Sequence, residues 1–258
     1  DRSVRAVIIT GAGERAFVAG ADIAEYRGRQ SRAFIDYQRE SRRVFCKIEN
    51  LPQPVIAAVR GYALGGGFEI ALCCDIIICA ASARLGLPEG LLGLSPGGGG
   101  TQRLTRCVGK VVASDIMLAH RRITGERAHA LGLAAECVPD DALMETALER
   151  ARAVVAVAPL AAEEMKAAIR AAAETPLEAG LTLEQTLLYR LYNTDDAEEV
   201  DEDTFFHDQR SGGTVVYPAL ELAEKIRGER FGRGWNVYAA QASDGDAFGS
   251  DPARSARY

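Results

Sequence analysis

The sequence predicts an α/β fold. Two observations in the front half carry this: short apolar runs that end at turn residues, and helical spacing in the stretches between them. A third lies behind them, where residues 110 to about 194 are almost wholly helical in pattern and rich in Ala, Leu, Glu and Arg.

The elements follow in order. VRAVIIT (4–10) reads as a buried strand, because a β-branched run ends at Gly11. A lone strand at the start carries the expectation of an element lost upstream. Residues 31–49 have helical spacing, with Phe34, Tyr37, Val44, Phe45 and Ile48 as the apolar face. PVIAAV (54–59) is a strand, followed by a glycine-rich turn at 61–67 from which FEIALCC begins a helix. DIIICA (75–80) is the next strand, and TQRLTRCVG (101–109) is helical in spacing. Alternation of this kind implies parallel or mixed strand pairing. Pro159 and Pro176 sit where helices start. Beyond 200, GGTVV, ALELAEKIRGER (219–230) and WNVYAAQ (235–241) outline a short β–α–β segment.

The chain has 258 residues, enough for one large domain or two small ones. Its 36 acids against 30 bases, a net charge of −6, argue against a general nucleic-acid binder. No apolar run reaches membrane-spanning length, and no signal-peptide pattern opens the chain. Cysteines 46, 73, 74, 79, 107 and 137 lie mostly in apolar periodic segments, which predicts buried free thiols and a cytoplasmic chain. Seven acids and no base occupy the nine residues 195–203, so the remainder carries about +1. That run reads as a solvated linker and a candidate boundary.

Three familiar motifs fail on physical grounds. GAGERA (11–16) resembles a dinucleotide fingerprint, but FVAGADI follows where the long helix should start. GLSPG (93–97) has nucleophile-elbow spacing, yet Pro96 lacks the N–H such a site needs. His120 and His129 fall in helical stretches and suggest no triad, and the cysteines lack zinc spacing. No metal site is expected.

Two glycine-bounded segments remain, FVAGADI (17–23) and GYALGGGFEIAL (61–72). Each follows a strand and leads towards helical sequence, which can leave backbone N–H groups open to a cleft. Two such donors can hold one carbonyl oxygen as it gains charge. They can equally be tight turns that close a sheet. Glu69 and Glu89 occupy apolar neighbourhoods, where burial suits a carboxyl group to proton transfer near neutral pH.

Residues 4 to about 194 resemble the crotonase (enoyl-CoA hydratase/isomerase) superfamily. VRAVIITGAGERAFVAGADIAEY, PVIAAVRGYALGGGFEIALCCDIIICAASARLGLPEGLLGLSPGGGGTQRL and RRITGERAHALGLAAECV carry the resemblance in order and spacing. It implies a ββα spiral core over residues 1–110 and a helical trimerisation region over 111–196. It also implies an oxyanion hole from the N–H groups of Ala21 and Gly66, and Glu69 and Glu89 as the glutamate pair of the hydratases. Ala19, Asp22, Ile23 and Ala24 then line the coenzyme A groove. Ala24 stands where a lysine is frequent, and Leu87 where a polar residue often flanks the second glutamate. The implied reaction is addition of water across the 2,3 double bond of a trans-2-enoyl-CoA, with no cofactor beyond the coenzyme A of the substrate. Another crotonase-type isomerase or lyase, or a fragment that only binds thioesters, is the alternative. The resemblance further implies a homo-trimer or hexamer, and two strands and a helix ahead of VRAVIIT that this sequence lacks.

From about Ala197, EEVDEDTFFHDQRSGGTVVYPALELAEKIRGERF and WNVYAAQASDGD resemble part of the von Willebrand A-like domain of YeaH-type bacterial proteins. Thr214 and Asp244 match two of that domain's metal ligands, but no D-x-S-x-S motif precedes them. Isolated oxygens are too few for a hard cation. Residues 197–258 are therefore expected to be a joined fragment or tail without a metal.

Overall fold

The apolar runs of the front half become strands in the computed structural model, which describes residues 3–22 and 31–194. The chain divides into two units, Asp1–Asp196 and Ala197–Tyr258, and the described residues all belong to the first. Ile23 and Ala24, the acidic run and the β–α–β outline with Thr214 and Asp244 lie outside them.

Four strands form one parallel sheet in the order β1 (Val7–Thr10), β3 (Val55–Val59), β5 (Ile76–Ala80) and β8 (Glu136–Val138). Its central strands are apolar at nearly every position because both faces are covered. Side chains alternate between faces, so Ala57, Val59, Ile77 and Cys79 enter one apolar cluster, and Ile56, Ala58, Ile78 and Ala80 the other. The second cluster is closed by Leu143 and Ala147 of α5 (Leu143–Ala156).

The other sheet has the order β2 (Ala16–Val18), β4 (Tyr62–Leu64), β6 (Arg84–Gly86) and β7 (Ile123–Thr124). β2, β4 and β6 run parallel, and only β7 is antiparallel to its neighbour. The carboxyl ends of three strands thus share one sheet edge. That edge receives the loop after β2, the start of α2 (Gly66–Leu72) after β4, and a 3₁₀ turn at Glu89–Leu92 after β6. Parallel sheets bind ligands at such an edge.

The helix expected over 31–49 is α1 (Ser31–Glu49). Phe34, Tyr37, Phe45 and Ile48 are half-buried, whereas Val44 is exposed because it lies at the edge of that stripe. α3 (Gly100–Leu118) covers the front segment TQRLTRCVG and is broken at Gly109, where φ is 77°. It sinks Leu104, Ala113 and Ile116 into the first cluster. Pro159 is the first residue of α6 (Pro159–Ala172), and Pro176 precedes α7 (Leu177–Tyr192), as their fixed φ favours. Lys166 ties α6 to the core: its Nζ lies 2.7 Å from Asp75 Oδ2 and donates to the Gln53 carbonyl at 3.0 Å.

Three expectations are corrected. The stretch from 110 to 194, expected to be almost wholly helical, is less so: besides α4 (Gly125–Ala130) and the longer helices it supplies β7 and β8, and β8 pairs with β5 in the first sheet. Strands of two and three residues are too short to leave a periodic signal. His120 lies beyond the end of α3 with φ 53°, not within a helix. Cys73 and Cys79 are buried as expected, but Cys107 of α3 is exposed. All six thiols are free, and burial pushes those of Cys73, Cys74 and Cys79 up to about 12. No helix among the described residues is long and apolar enough to cross a membrane.

Candidate active site

A cavity of about 420 Å³ opens at the shared edge of the second sheet, within the range of small-ligand sites. Five residues singled out in the sequence reach its wall: Ala19, Ala21, Gly66, Glu69 and Glu89. They arrive from three different strand ends, which is what the parallel arrangement of β2, β4 and β6 achieves. Asp22 is exposed and does not line the cavity. Leu87, which stands where a polar residue often flanks the second glutamate, is buried in the first apolar cluster.

Glu69 sits in α2, one turn beyond the glycine-rich start, and is only 3% exposed, the one buried charged residue among those described. An isolated carboxylate at such depth is unfavourable unless it is hydrogen-bonded. Here the backbone N–H groups of Gly98 and Gly100 both donate to Oε1, each at 2.8 Å. Oε2 remains as the acceptor for a further partner. The bond from Gly98 demands the absence of a side chain, because a Cβ there would lie 2.0 Å from the Phe45 ring and 2.7 Å from Glu69 Oε2.

Glu89 opens the 3₁₀ turn after β6 and is half-buried. Its Oε2 is buried and has no hydrogen-bond partner among the described residues. Burial pushes the Glu89 carboxyl above its ordinary pKa; its own backbone N–H opposes this, and the nearby Glu69 charge adds to the rise. Gly65 makes room for it, since a Cβ at that position would fall 3.0 Å from Glu89 Oε1. Its φ of 53° is the turn from β4 into α2. Gly66 follows as the first residue of α2 and carries one of the N–H groups for which a helix has no acceptor. Ala21 lies exposed after Gly20, whose φ is 110°.

Some wall residues escaped sequence reasoning. Phe34, Tyr37 and Phe45 belong to the apolar face that the spacing of α1 predicts, and Gln38 follows Tyr37 on the same helix. Gly97 and Gly98 come from the run 97–100. That run held a legible signal: four glycines before a helix offer several N–H groups at once. Ser95 also lines the cavity, with its hydroxyl donating to the Pro96 carbonyl at 3.3 Å. Among the described residues no group of three or more His, Cys, Asp or Glu is placed to hold a metal ion.

Chemically, the wall pairs a carboxylate held at one oxygen with a carboxyl that retains its proton to higher pH. Beside them stand glycine-turn N–H groups.

Known proteins share this arrangement of chain. The short-chain-enoyl-CoA hydratase of Clostridium acetobutylicum is 41% identical over 199 residues, 77% of this chain and 76% of its own. The 2,3-dehydroadipyl-CoA hydratase of Escherichia coli is 41% identical over 77% of each. The crystal structure of an enoyl-CoA hydratase from Bacillus anthracis superposes with a TM-score of 0.74 at 41% identity, again over 77% of each chain. Residues 188–258 match a second family, described as a protein of unknown function (DUF444). That description does not extend to a von Willebrand A-like fold. Residues 1–210 match the model of the enoyl-CoA hydratase/isomerase family, and the chain belongs to that family.

Proposed function

We propose that this chain is an enoyl-CoA hydratase, which adds water across the 2,3 double bond of a trans-2-enoyl-CoA thioester. One observation carries the reading: Glu69 and Glu89, twenty residues apart, line one cavity in different states of hydrogen bonding. Glu69 accepts two N–H bonds on Oε1, which fixes the carboxylate and leaves Oε2 to accept from a water. Glu89 has an unpartnered oxygen and a raised pKa, which suits it to carry a proton.

In the proposed reaction the N–H groups of Ala21 and Gly66 bind the thioester oxygen and make C3 electrophilic. Glu69 takes a proton from water as its oxygen bonds to C3. The electron pair of the double bond moves towards the thioester, whose enolate oxygen is held by the two N–H groups. Glu89 then delivers its proton to C2. After product release, exchange with solvent returns Glu69 to the carboxylate and Glu89 to the acid. Loss of one oxyanion donor in sites of this kind costs roughly 3 kcal/mol of transition-state stabilisation. The reaction draws on no cofactor beyond the coenzyme A of the substrate.

Ala19, on the cavity wall two residues before Ala21, fits a path for the pantetheine arm, and exposed Asp22 would meet coenzyme A only outside the cavity. A homo-trimer or hexamer formed through the helical region would cover Ile169, Leu177, Leu188 and Tyr192, all exposed apolar residues of α6 and α7; sedimentation of the full chain tests it.

The direct test is incubation with trans-2-butenoyl-CoA, followed by loss of the conjugated thioester absorbance and identification of the 3-hydroxyacyl product. Glu69→Gln and Glu89→Gln should each lower the rate by about 10²–10⁴-fold, the span of general acid–base catalysis. Unchanged rates in both variants would remove the two-glutamate mechanism. A product with a shifted double bond would make the chain an isomerase.

A further inference from the structure

Glu69 depends on a loop that has little stiffness of its own. Gly97, Gly98, Gly99 and Gly100 are consecutive, and glycine loses more conformational freedom on ordering than any other residue. The Gly100 N–H is set by the start of α3, of which it is the first residue. The Gly98 peptide has no such support. What holds it is Arg103, whose Nη1 donates to the Gly98 carbonyl at 2.8 Å.

Arg103 is itself locked. Its Nε donates to Glu49 Oε1 at 2.9 Å and its Nη2 to Glu49 Oε2 at 2.6 Å, a paired fork of the strong type. The side chains of Arg103 and Glu49 are 19% and 26% exposed, so solvent screens the pair only in part. Three nitrogens of one rigid guanidinium are thereby committed, a geometry that a lysine cannot reproduce. The location is also telling. Arg103 lies in the first turn of α3, where a cation opposes the helix dipole. A conflict with local preference of this kind calls for a reason beyond the helix.

Glu49 ends α1, and Phe45, four residues earlier on the same helix face, is the ring that closes over Gly98. One helix face thus covers the loop and anchors the arginine that grips it.

We infer that Arg103, locked to Glu49, is a positioning residue for Glu69, because it fixes the Gly98 segment whose N–H orients the Glu69 carboxylate. The inference rests on the hydration reading, in which Glu69 takes the proton of water. Arg103 does not line the cavity of Glu69 and Glu89. It acts through the loop.

The experiment uses the full chain carrying Arg103→Met, Glu49→Gln or Arg103→Lys, with kcat and KM measured on trans-2-butenoyl-CoA. Amide hydrogen exchange of the segment around residues 96–100 is followed in parallel. Misplacement of a reacting group by about an ångström lowers rates by up to about 10²-fold, so kcat should fall about 10- to 100-fold with KM unchanged. Exchange around Gly98 should accelerate in the same variants, and Arg103→Lys should recover only part of the loss. Combined with Glu69→Gln, Arg103→Met should add no further loss, since both changes act on one group. If Arg103→Met does not fold, Glu49→Gln, which keeps an acceptor for the arginine, decides by the same readings. Wild-type hydration with kcat intact in the folded variants, or a loss that multiplies with that of Glu69→Gln, overturns the inference alone. A wild-type chain that does not hydrate the thioester overturns the hydration reading and this inference with it.

Discussion

The Gly98 N–H lies 2.8 Å from Oε1 of Glu69, so a loop glycine and a helix carboxylate 29 residues apart form one unit. The contact admits no side chain at position 98, where a Cβ would overlap the Phe45 ring. Gly98→Ala should therefore push α1 outward and misplace Glu69. The expected outcome is a fall in hydration of about 10²-fold, with overpacking costing about 1–3 kcal/mol of stability. Steady-state kinetics and urea unfolding read the two effects separately, and a normal kcat would contradict the role given to the loop.

Glu89 links the site to stability through pH. Its pKa is raised on folding, chiefly by burial, from an ordinary 4.5. A folded state that binds the proton more tightly is favoured at low pH. That contribution is complete below the unfolded pKa and is lost as pH rises through the folded one. Glu89→Gln cannot ionise, so it should gain stability relative to wild type between mildly acidic and neutral pH and show no such gain at the acid end. Urea titrations at several pH values check this; a difference constant with pH would argue against it.

The same proton governs the proposed rate. If Glu89 supplies the proton to C2, kcat/KM must decline as pH rises through its raised pKa. The pH–rate profile of the wild type should show this basic limb, whereas the residual activity of Glu89→Gln should lack it. A limb that survives the substitution belongs to another group.

Thiol chemistry separates the cysteines. Cys73 and Cys79 are buried, with thiols pushed up to about 12, while Cys107 is an exposed residue whose thiol burial also raises. A thiol reagent at pH 8 should label Cys107 ahead of Cys73 and Cys79, which should react only on unfolding. Peptide mapping of the labelled protein gives the order.

Ile78 tests the core. It is fully buried at the centre of β5, facing Leu143 and Ala147 across the second cluster. Ile78→Ala should cost about 2–5 kcal/mol, measured by urea unfolding. A much smaller loss would mean that α5 does not close this face.

Much of the architecture was legible in order of residues. A β-branched run bounded by turn residues has few options but a strand, so β1, β3 and β5 could be read directly, although β1, expected to be buried, is half-buried with Thr10 exposed because it ends the sheet order. α1 was legible over its described length, because an apolar stripe over five turns needs a surface to cover. The glutamates stood out since ionisable groups rarely occupy apolar neighbourhoods without a purpose. Short elements were not legible: β7 and β8 have two and three residues, and their pairing is decided by the sheets they join.

The residue types therefore determined that strands and helices alternate, and which carboxylates and glycine turns were candidates for chemistry. The tertiary structure alone decided that they meet. Ala21, Gly66 and Glu89 converge because β2, β4 and β6 run parallel and deliver their carboxyl ends to one edge. Strand direction is a long-range choice that local periodicity does not encode. Arg103 likewise joins Gly98, 5 residues before it, to Glu49, 54 residues before it, a contact that exists only once α1 has folded over the glycine loop.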